Sequence, residues 1–427
     1  MKPPPDSPPT SQEEECHPSP HSLRGLEWVY FFLADVLTGV GPFLAVYLAT
    51  RHWNTEQVGI ALTIGGLAGV VTQIPAGALV DRTHRKRLLV VAGLIALVVG
   101  ALLLALWPSF PIVVAAQVLL GGTGALLIPT VNAITLGLVG AAAFDRRFGR
   151  NQSFNSAGNV FAAVMMGLVG SFISSRAIFF AVPLLAIPCV IALYCISPRE
   201  ISFERARGAA IKDGGNGSVS GLKSLLKNHK LLLFTGCAFL FHFSNAAMLP
   251  LLGQMLAHGR RKEAAPFMSA CIIVTQLVIA FSAAWIGRKA SNLGRKPLLL
   301  IGFGVLPIRG ILYTLTGSIP FLIGIQFLDG VANAIFGVVS ILVIADLTRG
   351  TGRFNLAQGG LATAVGIGAS VSNTYAGILV KHFGYHAGFI GLAVVAVGAW
   401  LLLWLRMPET LAQTQRPSKA GLLLATE

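Results

Sequence analysis

Two carboxylates and one guanidinium lie deep inside apolar stretches of this 427-residue chain: Asp35, Asp329 and Arg309. A charge far inside an apolar run is expensive in a bilayer and points to function. Asp35 falls about nine residues into its run, about 13 Å deep at 1.5 Å per residue. A carboxylate stripped of water binds a proton readily, so Asp35 is expected to carry a proton or to pair with a cationic solute. Asp329 and Arg309 fall about ten and twelve residues into consecutive antiparallel runs, which puts them at similar depth. They are expected to form a buried ion pair, which is either structural or a switch opened when Asp329 takes a proton.

Uncharged polar groups form a second set. Gln117, Asn132, Asn155, Asn159, His242, Asn245, Gln326, Asn333, Gln358 and Asn373 all sit within apolar runs, as do Gln73, Gln254 and Gln276. They suit a polar pathway that binds solute by hydrogen bonds. Any single amide can equally serve as an interhelical bond, and a lone His242 is more often a structural donor than a titrating group.

The elements that must position these groups are helices. A spanning helix needs about 20 apolar residues, and the chain has 12 such runs, near 26–50, 57–80, 88–107, 111–139, 150–173, 177–196, 231–256, 265–287, 297–316, 319–345, 354–380 and 385–405. The expected fold class is therefore an all-α membrane protein. Its expected parts are a Pro-rich disordered tail (1–25), a six-helix unit (26–196), a polar linker (197–230), a second six-helix unit (231–405) and a second tail (406–427). With the N-terminus inside, the inner segments hold 25 Lys and Arg against 6 outside. That bias puts both termini in the cytoplasm.

A third set repeats. Gly77-Ala-Leu-Val-Asp81-Arg82-Thr-His84-Arg85-Lys86 returns about 210 residues later as Gly287-Arg-Lys-Ala-Ser291-Asn292-Leu-Gly294-Arg295-Lys296. Gln117 and Gly121 match Gln326 and Gly330, and Gly149-Arg150 matches Gly352-Arg353. Six and six runs with landmarks in register make the halves parallel repeats, a layout typical of transporters.

On these motifs the chain resembles the Major Facilitator Superfamily, whose loop signature is Gly-x-x-x-Asp-Arg-x-Gly-Arg-Lys. Gly77, Asp81, Arg82, Arg85 and Lys86 match it, with His84 in place of the second glycine; in the second copy Gly287, Gly294, Arg295 and Lys296 match, and Ser291 and Asn292 replace the acid–base pair. The resemblance implies two pseudo-symmetric six-helix bundles, a central cavity lined by spans 1, 4, 7 and 10, and a gating role for these motif residues, Asp81 above all. Two departures stand out. Proton-driven members often carry Arg in span 4 where this chain has Gln117, and Asn155-Ser-Ala-Gly-Asn159-Val-Phe161 lacks the Gly-Pro motif of many drug antiporters.

Composition bounds the rest. The chain is 54% hydrophobic and 11% charged, against about 25% charged in soluble domains. Its net charge of +15 is spread over turns, with no basic patch interleaved with stacking aromatics, so nucleic acid is not an expected partner. The five cysteines show no metal spacing, and no phosphate-binding loop or catalytic constellation stands out, so neither a cofactor nor an enzyme is expected. The expectation is a monomeric secondary transporter in a plasma membrane, a bacterial inner membrane, moving a small organic solute. Proton-coupled efflux leads, with a proton-coupled uptake symporter as alternative and a non-transporting sensor as the remote one.

Overall fold

The structure is a computed structural model and describes residues 18–206, 228–259, 261–348 and 354–411. Among them there is no strand. Twelve α-helices follow in order: α1 (Pro20–Thr50), α2 (Thr55–Arg82), α3 (Lys86–Leu106), α4 (Phe110–Phe172), α5 (Ala177–Tyr194), the short α6 (Phe203–Ala206), α7 (His229–Asn245), α8 (Met248–Gly259), α9 (Arg261–Leu293), α10 (Arg295–Leu315), α11 (Ile319–Thr348) and α12 (Phe354–Arg406). Nine segments among the described residues are long and apolar enough to cross a membrane.

Local chemistry sets several helix ends. Ser19 caps α1, with Pro20 at its first position. Asn54 and Gln57 form a reciprocal capping box at α2. Asn228 accepts from the Leu231 N–H at α7. Between α7 and α8 the helix breaks at Ala246 and Ala247. Pro250 has no N–H to offer the turn before it, and the Ala247 N–H instead donates to Ser372 Oγ at 3.2 Å.

Helices α4 and α12 are each two arms. At Gly140 (φ 71°) and Gly384 (φ 81°) the backbone enters the left-handed region, which glycine adopts without strain. The chain then folds back. Asn151 Nδ2 donates to Thr135 Oγ1 at 3.4 Å, whereas a straight helix would separate these residues by about 24 Å. In α12, Gly388 and Gly391 likewise lie against Val380 and Leu379. The runs expected at 111–139 and 150–173 correspond to the two arms of α4, which reverse at Gly140.

The halves meet unevenly. One apolar core runs through the first half and into the second, taking in Val46, Leu252, Ala257, Met268, Leu322, Val380 and Phe389. These lie toward the end of the bundle opposite the chain termini. A separate core, including Phe234, Phe241, Phe303 and Val343, belongs to the second half alone.

Two seams join the halves at that opposite end. Along α2 and the first arm of α12, Thr63 Oγ1 donates to Ser370 O at 2.6 Å and pairs with Thr374 Oγ1 at 2.8 Å. Gly59 faces Asn373 O, Gly66 faces Ser370 and Gly366 faces Val70. Between the second arm of α4 and α9, Gly167 meets Ser269 and Gly170 meets Ala265. Toward the terminus-bearing end both seams stop: a methyl group built on Gly77, Gly359 or Gly360 would meet nothing within 4 Å, and on Gly287 only Val338, at 3.9 Å.

Candidate functional site

The second half holds a polar network that joins four helices. Arg309, on α10, is 1% exposed. Its Nη1 contacts Asp329 Oδ1 of α11 at 2.5 Å and donates to Asn245 Oδ1 at the end of α7. Its Nε donates to Tyr313 Oη, one turn on, at 2.7 Å. Gln326 Nε2 donates to the same Tyr313 oxygen at 2.8 Å. Asp329 also accepts from Asn333 Nδ2 at 2.8 Å and from Thr275 Oγ1 of α9 at 3.2 Å. The expected pair is present and almost fully satisfied. A buried pair of this kind is held by its extra donors, because Coulomb attraction alone rarely offsets desolvation.

Asp35 is the opposite case. It is 0% exposed, and neither carboxylate oxygen has a hydrogen-bond partner among the described residues. It sits within electrostatic reach of the Cys189 thiol on α5, buried in the first bundle. Burying an ionised carboxylate is costly unless it is paired.

The amides divide by location. Gln117, expected in the cavity, is buried; its Nε2 reaches Ala61 O at 3.4 Å and ties the first arm of α4 to α2. Gln326, also expected there, is 0% exposed and joins the Tyr313 network. Both are tied to neighbouring groups, since an amide on a cavity helix still has a face turned toward its neighbours. Asn132 Oδ1 accepts from Tyr30 Oη at 2.7 Å. Asn159 Nδ2 donates to Asn155 Oδ1 at 3.3 Å. Asn373 Nδ2 donates to its own helix at Ala369 O, 3.0 Å away. Nδ1 of His242 lies 3.2 Å from Ala238 O, and its ring packs edge-on to Phe336. Gln358 is half-buried on the first arm of α12.

In each repeated motif a basic residue bonds back to the end of the preceding helix, from places one residue apart: Lys86 in the first copy and Arg295, which matches Arg85, in the second. Lys86 Nζ donates back to Val80 O at 2.7 Å, and Arg295 Nη1 donates back to Ala290 O at 2.7 Å. Each cation thus closes the carboxyl end of the preceding helix, where the dipole favours it. The turns differ. Gly294 takes φ 102°, while His84 holds the matching place without a left-handed backbone, next to an extended Thr83. Arg295 also pairs with Asp346 at 3.1 Å, and the Arg295 and Lys296 N–H groups donate to Glu409. Arg82 and Arg85 are exposed; the Asp81 side chain lies outside the described residues.

Several residues in these networks were not singled out from sequence. Tyr313 stands four residues after Arg309, a spacing that could have found it. Glu27, which pairs with Arg147 at 3.0 Å and Arg150 at 2.6 Å, gave no signal, nor did Thr275 or Glu409. Outside the spans, partial burial pushes the Glu200 carboxyl up, but donors from Ser19 and Ser22 bring it below its ordinary value.

Comparison with known proteins fits this architecture. The model of the Major Facilitator Superfamily matches residues 27–306 and 263–427. An uncharacterized MFS-type transporter of Mycobacterium tuberculosis, found in two strains, is 41% identical over 393 residues, covering 92% of this chain and 94% of the relative. Among solved structures, a mutant of the nucleoside transporter NupG superposes with TM-score 0.76 at 15% identity, covering 90% of this chain and 99% of that one. Unmutated NupG gives 0.72 at 14%, covering 90% and 97%. With its helical bundles, its repeated loop motif and this match along nearly its whole length, the chain belongs to the Major Facilitator Superfamily and is a secondary transporter of the membrane.

Proposed function

We propose that this protein carries a small polar organic solute across the plasma membrane by alternating access, in exchange for protons, as a monomer with twelve crossings and both termini in the cytoplasm. The observation that carries the reading is the uneven seam between the halves. The halves touch at the end away from the termini and part at the other, which corresponds to a cavity open to the cytoplasm.

The register of the seams supports the opposite state. On α2 and α12, contacts run from Gly59–Asn373 through Gly66–Ser370 to Val70–Gly366. Continued seven residues further, the register sets Gly77 opposite Gly359 and Gly360. On α4 and α9, the contacts of Gly167 and Gly170 with Ser269 and Ala265 continue to Gly149 opposite Gly287. The faces of Gly77, Gly359 and Gly360, which meet nothing within 4 Å here, would let the inner ends close. Gly77, Asp81, Arg82, Arg85 and Lys86 would form the inner gate, with Gly287, Gly294 and Arg295 as its counterpart. The units 26–196 and 231–405 would rock about Asn132, Asn155, Asn159, Gln358 and Asn373.

Asp35 is assigned the coupling proton, because a buried carboxylate without partners has no other neutraliser among the described residues. The amides suit neutral, zwitterionic or weakly charged solutes. NupG is a nucleoside transporter; the likeness concerns fold, and nucleosides serve as one class in the first screen.

Two measurements test this. A Gly77→Cys, Gly359→Cys pair should cross-link only when solute or pH drives the inner end shut; failure under all conditions would count against rocking. In proteoliposomes, wild-type protein should move solute outward as protons enter, and Asp35→Asn should lose this while keeping solute exchange. Co-movement of solute and protons in one direction would replace exchange by symport.

A further inference from the structure

We propose that the notch between the terminus-bearing ends of α3 and α5 binds one anionic phospholipid, its headgroup against Arg85 and Arg87 and its acyl chains along the seam of the two helices. The notch is a cavity of about 260 Å³. The turn from His84 to Leu88 walls one side, Leu193 and Tyr194 the other, and Pro198 and Ile201 close the base.

The base is pre-formed. The chain leaving α5 is tied down where Ser19 N–H donates to Glu200 at 3.0 Å and where Ser202 N–H donates to Gly137 O at 3.1 Å. The His84 ring stacks on Phe203 with centroids 3.5 Å apart.

Charge favours an anion. Neither Arg85 nor Arg87 has a carboxylate partner among the described residues. Lys86 is turned inward onto Val80 O. The Arg87 guanidinium lies 4.7 Å from the centroid of the Tyr194 ring, a contact that holds the guanidinium at the mouth. The second half shows what a closed version looks like: there Asp346 and Glu409 occupy Arg295 and the neighbouring N–H groups. In the first half neither Arg85 nor Arg87 meets such a carboxylate among the described residues.

The walls then turn apolar. Leu88, Ile95 and Val99 on α3 and Leu184, Ile187 and Ile191 on α5 are exposed, each set on one helix face. Below a ring of cations and a tyrosine at headgroup depth, that stripe matches acyl chains. A free phosphate would match only the cations.

The test uses the purified full chain in neutral detergent, with retained lipid counted by native mass spectrometry. Phosphatidylglycerol should be held in preference to phosphatidylcholine. Arg87→Gln should weaken retention about fivefold, the worth of one basic residue at an anionic surface, and Arg87→Lys should restore part of it. A photo-crosslinking phosphatidylglycerol on the unaltered protein, which does not depend on any variant folding, should label α3 or α5. Equal retention of the two lipids, unchanged retention in Arg87→Gln, or labelling confined to other helices would each overturn the site. Displacement of phosphatidylglycerol by millimolar inorganic phosphate would overturn the lipid in favour of a soluble anion.

Discussion

Asp35 and Asp329 are the same residue at comparable depth, one in each half, yet their surroundings are opposed. Asp329 accepts from Arg309, Asn333 and Thr275. Asp35 accepts from nothing among the described residues. The first is a joint: its charge is matched, and removing any partner exposes the rest. The second is a buried group with no hydrogen-bond partner among the described residues. Depth alone therefore says little about role, and the donors around a carboxylate say most of it.

The contrast can be broken from the joint side first. Arg309→Leu should lower thermal stability in detergent by about 3–5 kcal/mol, because it strands a buried charge. Combining it with Asp329→Leu should recover most of the loss; a double variant as unstable as the single would mean the two residues do not act as a pair. Asn245→Ala removes the acceptor that ties Arg309 to the break between α7 and α8, and should cost about 1–3 kcal/mol. Thr275→Val leaves one Asp329 oxygen short of a donor, and a loss of about 0.5–1.5 kcal/mol in the same melting assay is expected. Asp35→Asn should change stability least, within about 1 kcal/mol, since the amide inherits the same unpartnered setting. A large loss there would show that the Asp35 carboxylate has partners after all.

Counting residues along apolar runs was enough to put Arg309 and Asp329 side by side, because helix rise converts sequence position into depth. It was not enough for Gln117 and Gln326. Their span was legible, but the face each turns to a neighbour depends on helix rotation, which a short list of polar positions does not fix. That Asp35 has no hydrogen-bond partner among the described residues depends on how neighbouring helices pack around it, which the sequence near residue 35 does not show. Glu409 reaches Arg295 across more than a hundred residues, and no local pattern announces such a contact. The loop motif was readable as a repeat, yet its two copies close their turns differently, with a left-handed Gly294 in one and His84 in the other.

The seam between α2 and α12 has a mechanical side. What meets across it is mostly glycine, backbone carbonyl and small hydroxyls, with Thr63, Ser370 and Thr374 supplying the bonds and Lys381 reaching Glu56 at its exposed rim. Apart from Lys381 and Glu56 these contacts are short, so in the proposed rocking one helix would tilt on the other as a shaft turns in a plain bearing. The bonds that resist the motion are ones water can take over as the faces part. Wear and friction in such a machine would then belong to its ends, where the proposed gates lie, and not to the surface on which it turns.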